Sequence, residues 1–488
     1  MKHVFRWIIA GLILLVVVLV GNTWRFQPEE VKIPSDKLPE ISAADSLKMV
    51  ERFSRALQFP TISRDDARRD TAAFRAFLTF LSTRFPGVFS TLHVQSVNRW
   101  SLILHWPGAE ASQKPLLFLA HYDVVPVDSA TLGAWRQPPF SGAIADGFIW
   151  GRGAIDDKAG TMITLEALEY LIGRGFRPQR SIYVAIGHDE EIGGLEGARH
   201  MARLFQEQGL EFELVLDEGG TILKDGIAGI NRPVAMVGIA EKGYVTLCLT
   251  ARGTPGHSSM PPRHTAIGRL AAAIQRLENH PLPAAITGPT RAFFDAVGRH
   301  MPFLPRLIIA NRWLFSPLLI RQLEKQPATN ALVRTTSAVT VIHGGVKSNI
   351  LPAKATALVN FRIRPGESVE QVIEHVRKVI DDPSIHIDIY GKLAINPSPV
   401  SPIDGEAFRR VSHSIRRIFP GTLVAPYTVL GATDSRYYYS VSRAVYRFLP
   451  LQFRNDDLPR IHGINERIST RNLINGVRFI IDLIQQFN

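Results

Sequence analysis

Three short apolar runs constrain this chain most: Leu116-Leu-Phe-Leu-Ala120, Ile182-Tyr-Val-Ala-Ile186 and Phe212-Glu-Leu-Val-Leu216. Between the first two, Lys158 to Ile172 carries Met162, Leu165, Leu168 and Ile172 at helical spacing. Buried strands alternating with amphipathic helices predict an α/β fold with a largely parallel sheet. The residues just past each strand narrow the reading. His121 and Asp123 come after the first, His188, Glu190 and Glu191 after the second, and Asp217 and Glu218 after the third. Ligands of open α/β sheets bind beyond the carboxyl ends of the strands, so the three clusters are placed to converge on one crevice.

From about Gly243 to Lys392 the pattern changes. A strand, a helix from Thr265 to Asn279, strands at Ala338–Ile342 and Thr356–Ile363, a helix from Val369 to Ile380 and a strand at Ile385–Ile389 occur in turn. This β-α-β-β-α-β order predicts a split-βαβ, ferredoxin-like domain over 243–392, inserted into a first domain made of 45–242 and 393–488. An apolar insert over 283–330, with Phe293, Phe294, Trp313, Phe315 and Leu318, interrupts it. That insert reads as extra core, a dimer contact, the lining of an acyl pocket, or a surface resting on a membrane.

At the N-terminus, Lys2 and Arg6 precede an unbroken apolar stretch from Trp7 to Gly21, with Trp24 and Arg25 after it. No Ala-x-Ala cleavage site comes after it, which favours an uncleaved signal anchor over 1–25 with the N-terminus in the cytoplasm and the bulk of the chain outside. Residues 26–44 read as a tether. The net charge is +12, but the basic residues are dispersed, with no basic run interleaved with aromatics. Nucleic acid is therefore not an expected partner, and an anionic lipid surface accounts for the charge as well. The single cysteine, Cys248, excludes an intrachain disulfide and a Cys-rich zinc site, and its strand-like surroundings predict a buried small hydrophobe.

The acidic clusters offer the parts of a metal centre. His121 and Asp123 are spaced to point to one side of an extended segment, and Asp123 could orient the His121 imidazole or act on another group of the site. Asp156 and Asp157 stand at the entrance of the helix, where they could bind metal or cap the helix. Two divalent ions ~3.5–4 Å apart need a bridging carboxylate, a few N/O ligands each and a separate base. Imidazole mixed with carboxylate and no thiolate suits zinc, with cobalt or manganese as substitutes. A further histidine, His462, stands in Pro459-Arg-Ile-His-Gly-Ile-Asn-Glu466. There is no Gly-x-Ser-x-Gly elbow and no His-Glu-x-x-His motif.

The segments His121-Tyr-Asp123, Gly151-Arg-Gly-Ala-Ile-Asp-Asp-Lys158, His188-Asp-Glu-Glu-Ile-Gly-Gly194, Leu216-Asp-Glu-Gly-Gly220 and Gly253-Thr-Pro-Gly-His-Ser-Ser259, with the late His462, occur in this order. Together they resemble the dinuclear-zinc exopeptidase family of carboxypeptidase S, aminoacylase-1 and bacterial glutamate carboxypeptidase. The insert and the N-terminal segment bring the chain closest to the carboxypeptidase S and secreted N-acyl amino acid hydrolase branch. The resemblance implies two zinc ions per subunit, His121 and Asp217 on one, Glu191 and His462 on the other, and Asp156 bridging. Because Asp217 and Glu218 are adjacent, and family members differ in acid type there, Asp217 is chosen as the first acid after the strand. Glu190 would be the general base, Asp123 a supporting catalytic residue, and the Asp156–Asp157 peptide cis.

The resemblance further implies that His257, on a lid and dimerisation domain, stabilises the oxyanion across a homodimer, and that Asn349 and Arg362 contact the substrate. Arg362, or Arg436 in Gly431-Ala-Thr-Asp-Ser-Arg436, could grip a free carboxylate in a bidentate fork. The expected activity is hydrolysis of the amide bond of a C-terminal amino acid in a dipeptide, peptide or N-acyl amino acid. The competing reading, a non-catalytic membrane-anchored binding protein that keeps the fold, is disfavoured because every expected ligand and the base are present.

Overall fold

The computed structural model describes residues 1–28, 38–64 and 70–488. The centre of the molecule is a ten-stranded mixed sheet. Its middle strands, Ile182–Gly187, Leu116–His121, Leu214–Asp217 and Val445–Arg447, lie side by side and parallel. The Leu116–His121 strand is buried at every position, so both of its faces are covered and the sequence shows an apolar run without alternation. On one face the Lys158–Gly173 helix packs against the Thr470–Gln486 helix and this strand; it is buried along most of its length. Asp157 starts it, accepting from the Gly160 N–H at 3.0 Å, so the helix-capping role falls to the second of the paired aspartates.

The inserted sheet has the antiparallel order Thr336–Gly344, Lys354–Ile363, Gly243–Arg252, Ile385–Ile395. The Ala266–Asn279 and Val369–Ile380 helices cover one face, and Val245, Leu247, Leu249, Ala251, Val359 and Phe361 supply its core. Period-two alternation puts Cys248 on the opposite face of its strand. It is therefore half-buried, where a fully buried residue was expected, with Sγ 3.7 Å from Thr250 Oγ1. The expected α/β architecture, with a smaller α+β unit inserted, is the one observed.

The apolar insert forms four helices, Gly288–Gly298, Phe303–Ala310, Arg312–Leu323 and Pro327–Val333. Although its sequence interrupts the inserted unit, its first helix packs on the Leu423–Val429 strand of the large sheet. There Val297 joins Ile230, Val234, Leu423 and Ala425 in a separate small core. The N-terminal helix runs over Lys2–Arg25, longer than its unbroken apolar stretch, and is long and apolar enough to cross a membrane. Of the expected tether, residues 29–37 lie outside the described residues.

Candidate active site

The three clusters do converge. His121 ends its strand almost wholly buried, with Nε2 3.1 Å from Asp156 Oδ1 and 3.3 Å from Glu218 Oε1. On the other side of Asp156, His462 Nε2 lies 2.9 Å from Oδ2 and 3.3 Å from Glu191 Oε2. Asp156 thus turns one oxygen to each of two groups, His121–Asp156–Glu218 and Asp156–Glu191–His462. In each group three ligand atoms lie within 4.8 Å of one another.

Asp217, the expected ligand, lies outside both groups. Its Oδ2 accepts from the Ser435 N–H at 2.7 Å and its Oδ1 from the Glu218 N–H at 3.0 Å, so backbone donors occupy both oxygens. Glu218, the next residue, has left the strand and reaches His121 instead. The deciding contact comes from Ser435, far along the chain, and no local pattern carries it.

Asp123 does both things left open for it. Its Oδ1 lies 3.3 Å from His121 Nδ1, which also faces the Asp123 carbonyl at 3.1 Å. Its carboxylate also accepts from the N–H groups of Glu190 and Glu191 at 3.2 and 3.3 Å. The adjacent glutamates are held there by a short turn whose exit needs left-handed backbone: Gly193 and Gly194 have φ of 102° and 65°. A Cβ on Gly194 would stand 2.1 Å from Asp434 Oδ1, so this position also requires the absence of a side chain. Glu190 belongs to neither ligand group, and its Oε1 lies 3.6 Å from Arg436 Nη2.

The loop that delivers Asp156 is pinned from below by a residue the sequence did not single out. Glu466 Oε1 accepts from the N–H groups of Ile155 at 2.7 Å and Asp156 at 3.2 Å. Its Oε2 accepts from Arg152 Nη1 at 2.7 Å, and Arg152 Nη2 donates to the His462 carbonyl at 3.1 Å. One buried ion pair therefore fixes the bridging aspartate and the last histidine together. The Asp156–Asp157 peptide is cis, and His462 has a φ of 57°. His188, by contrast, is a buried structural residue, with Nδ1 2.6 Å from Ser101 Oγ.

Electrostatics show what such a cluster lacks. Burial first, then the charge of Asp156, pushes Glu218 up to about 8 and Glu191 up to about 7. Burial likewise holds Glu190 well above the ordinary carboxylate range, reinforced by Asp434, Glu218 and Glu191 against the pull of His121. Hydrogen bonds to Asp156 and Glu191 raise His462 to about 10. In Asp156 the hydrogen bonds from His121 and His462 outweigh the cost of burial and hold its carboxyl low. Carboxylates crowded out of water are in electrostatic deficit of positive charge, and divalent cations reverse that. Glu191 Oε1 is buried and without a hydrogen-bond partner among the described residues. Two nitrogen–oxygen groups sharing one carboxylate, with an unpartnered buried oxygen, fit a pair of divalent metal ions.

The expected substrate residues lie on several separate elements. His257 and Asn349 are brought together on the exposed edge of the inserted unit, where His257 pairs with Ile350 and the Ser258 N–H donates to the Asn349 carbonyl at 3.1 Å. Neither makes a hydrogen bond or ion pair with the metal-type cluster among the described residues. Arg362 stands opposite Tyr244, its guanidinium 4.8 Å from the ring centre, and burial first, with the Arg436 charge, lowers its pKa. Arg436 is held by the Thr433 carbonyl at 2.6 Å. Behind it, Glu241 accepts from Thr433 and from the fully buried Arg447.

A fold with paired ligand groups at the carboxyl ends of parallel strands, and an acid left free beside them, defines a metal-dependent hydrolase. The chain belongs to peptidase family M20/M25/M40, whose model matches residues 117–486, and it is a divalent-metal enzyme of that family. It is 40% identical to the N-fatty-acyl-amino acid synthase/hydrolase PM20D1 of Xenopus tropicalis, over 98% of this chain and 93% of that one. To the probable carboxypeptidase S-like 2 of Dictyostelium discoideum it is 39% identical, over 99% of this chain and 93% of that one. Among solved structures, the M20 family metallo-carboxypeptidase Sso-CP2 of Sulfolobus solfataricus shares the fold at a TM-score of 0.66 and 19% identity, covering 92% of this chain and 99% of that one.

Proposed function

We propose that this protein is a dizinc amidohydrolase that releases the C-terminal amino acid from N-acyl amino acids carrying a hydrophobic acyl group. The observation that carries it is the pair of ligand groups sharing Asp156 while Glu190 stays unligated beside them. The names of the relatives, N-fatty-acyl-amino acid synthase/hydrolase and carboxypeptidase S-like, support the substrate class. His121, Asp156 and Glu218 would hold one zinc, and Asp156, Glu191 and His462 the other; cobalt or manganese would substitute. When bound, such a pair supplies Lewis acidity at the scissile carbonyl and lowers the pKa of water toward ~7.

The chain's own groups do the rest. Glu190 takes a proton from the attacking water on its carboxylate and hands it to the leaving amine nitrogen. Asp123 fixes both the His121 ring and the backbone that carries Glu190. Arg362 or Arg436 forms the fork for the free carboxylate of the substrate. His257 and Asn349, on the exposed edge of the lid, would complete the oxyanion site from a second copy in a homodimer. The N-terminal helix would remain as an anchor with the catalytic domain outside the cytoplasm. The burial of Thr23 at its foot supports retention, because cleavage would strip a residue that the globular part encloses.

A panel of acetyl to long-chain N-acyl amino acids, with matched dipeptides, tests the substrate class. We expect kcat/KM to rise with acyl length. Equal turnover of acetyl and long-chain substrates, or turnover of dipeptides alone, would remove the hydrophobic acyl group from the proposal.

A further inference from the structure

The Arg312–Leu323 helix has the sequence Arg-Trp-Leu-Phe-Ser-Pro-Leu-Leu-Ile-Arg-Gln-Leu, and none of its residues is fully buried. Trp313, Leu314 and Leu318 are exposed on it, as are Phe303 and Leu304 on the preceding Phe303–Ala310 helix. Leu304 keeps 71% of its surface and Trp313 63%. Apolar side chains that the fold leaves in water in one contiguous segment mark a surface made for something else. The two helices meet at a bend of 115°. At 8 and 12 residues each is too short to cross the ~30 Å hydrocarbon layer at 1.5 Å per residue, so neither spans a bilayer alone.

Their position indicates the occupant. The residue at the bend, Asn311, is fully buried. Its Nδ2 donates to the Leu19 carbonyl at 3.0 Å, and its Oδ1 accepts from Asn22 Nδ2 at 2.9 Å. Arg306 Nη1 donates to Gln27 Oε1 at 3.0 Å, and Arg299 lies 5.0 Å from the Phe26 ring centre. The bent pair is thus bolted to the foot of the long apolar N-terminal helix, where Trp24 is exposed as Trp313 is. Residues 296–323 contain four arginines, at 299, 306, 312 and 321; Arg312 is paired with Asp295 just before the segment, and Arg321 is exposed. Exposed aromatic and aliphatic side chains beside an exposed arginine are what an interfacial helix presents to anionic lipid.

We infer that the Phe303–Ala310 and Arg312–Leu323 helices lie in the membrane interface beside the N-terminal helix and form a second seat for the protein on an anionic lipid surface. This rests on the proposed anchor, and adds that the globular part is seated on the bilayer as well as tethered to it. A rigid seat fixes the height and orientation of the domain, which a lone helix would not.

The test uses the full chain with Cys248→Ala and one new cysteine, Leu318→Cys, carrying an environment-sensitive fluorophore. The protein is reconstituted into phosphatidylcholine vesicles with and without phosphatidylglycerol, some of the lipid bearing a quencher in the acyl chain. Leu14→Cys reports the anchor, and Val346→Cys, on the exposed edge of the lid, reports solvent. We expect the label at 318 to be quenched several-fold more than that at 346, and more so with phosphatidylglycerol. Quenching at 14 but no more at 318 than at 346 overturns the seat and leaves the anchor standing. Quenching at 318 without quenching at 14 supports the seat and removes the anchor; quenching at neither removes both. A concentration-dependent blue shift at 318 without lipid quenching assigns the face to a second copy of the chain and overturns the inference.

Discussion

Two pairs of adjacent acids divide their work in the same way. In Glu190–Glu191 the second residue enters a ligand group and the first stays free; in Asp217–Glu218 the second again enters, while backbone donors hold the first. Glu218→Ala should therefore leave one metal per chain in place of two, whereas Asp217→Ala should keep the stoichiometry and weaken affinity by about 10–100-fold, as loss of an outer support does. Metal content after dialysis checks this, and the reverse pattern would restore Asp217 as the ligand. The residue types of the site were legible in the sequence because imidazoles and carboxylates seldom gather at three strand ends without a charge to bind. Which of two neighbouring acids turns inward was not, since Ser435 decides it and is adjacent to Asp217 only in the folded chain.

At the scale of elements, the large sheet supplies positions and the loops supply chemistry. Strand ends place His121, Glu218 and the Glu190 turn, but Asp156 arrives on a loop and must be held by other means. Glu466 and Arg152 do that from a fully buried pair. Glu466→Ala would leave the Arg152 charge buried without its partner. We expect it to lower stability by about 3–5 kcal/mol, read by denaturant unfolding of the metal-free protein, and to loosen metal binding as well. A change under ~1 kcal/mol, as for an exposed pair, would contradict the pinning role. The strands and helices themselves were legible: the runs at 116 and 182 and the helix at 369 need only periodicity and caps, the last opening with the Ser368–Gln371 capping box. The surface on which the apolar insert lands was not. Its composition records that it must be covered, and only the fold shows the Leu423–Val429 strand and the N-terminal helix as neighbours.

For the whole molecule, the large sheet, the inserted unit and the long N-terminal helix are joined by buried polar contacts as well as by apolar packing. Asn311 ties the insert to the N-terminal helix. Lys242, between the strands of the two sheets, donates to the carbonyls of Ala331 and Arg334 at 2.9 and 2.8 Å, and burial lowers it to about 7. The joint between the two sheets is therefore also a joint to the insert. The proposed chemistry at the strand ends, the proposed substrate groups on the inserted unit and the inferred lipid contact on the insert would then belong to three surfaces of one chain.

In the proposed site, five residues hold two metal ions and Glu190 stays out of that set as the base. The most direct test is elemental analysis of the full-length protein together with amide hydrolysis, for wild type and Glu190→Gln side by side. We expect the same metal content in both and a loss of kcat of about 10²–10⁴-fold in the variant, the usual worth of a general base. A variant that turns over normally, or that loses its metal, would contradict it.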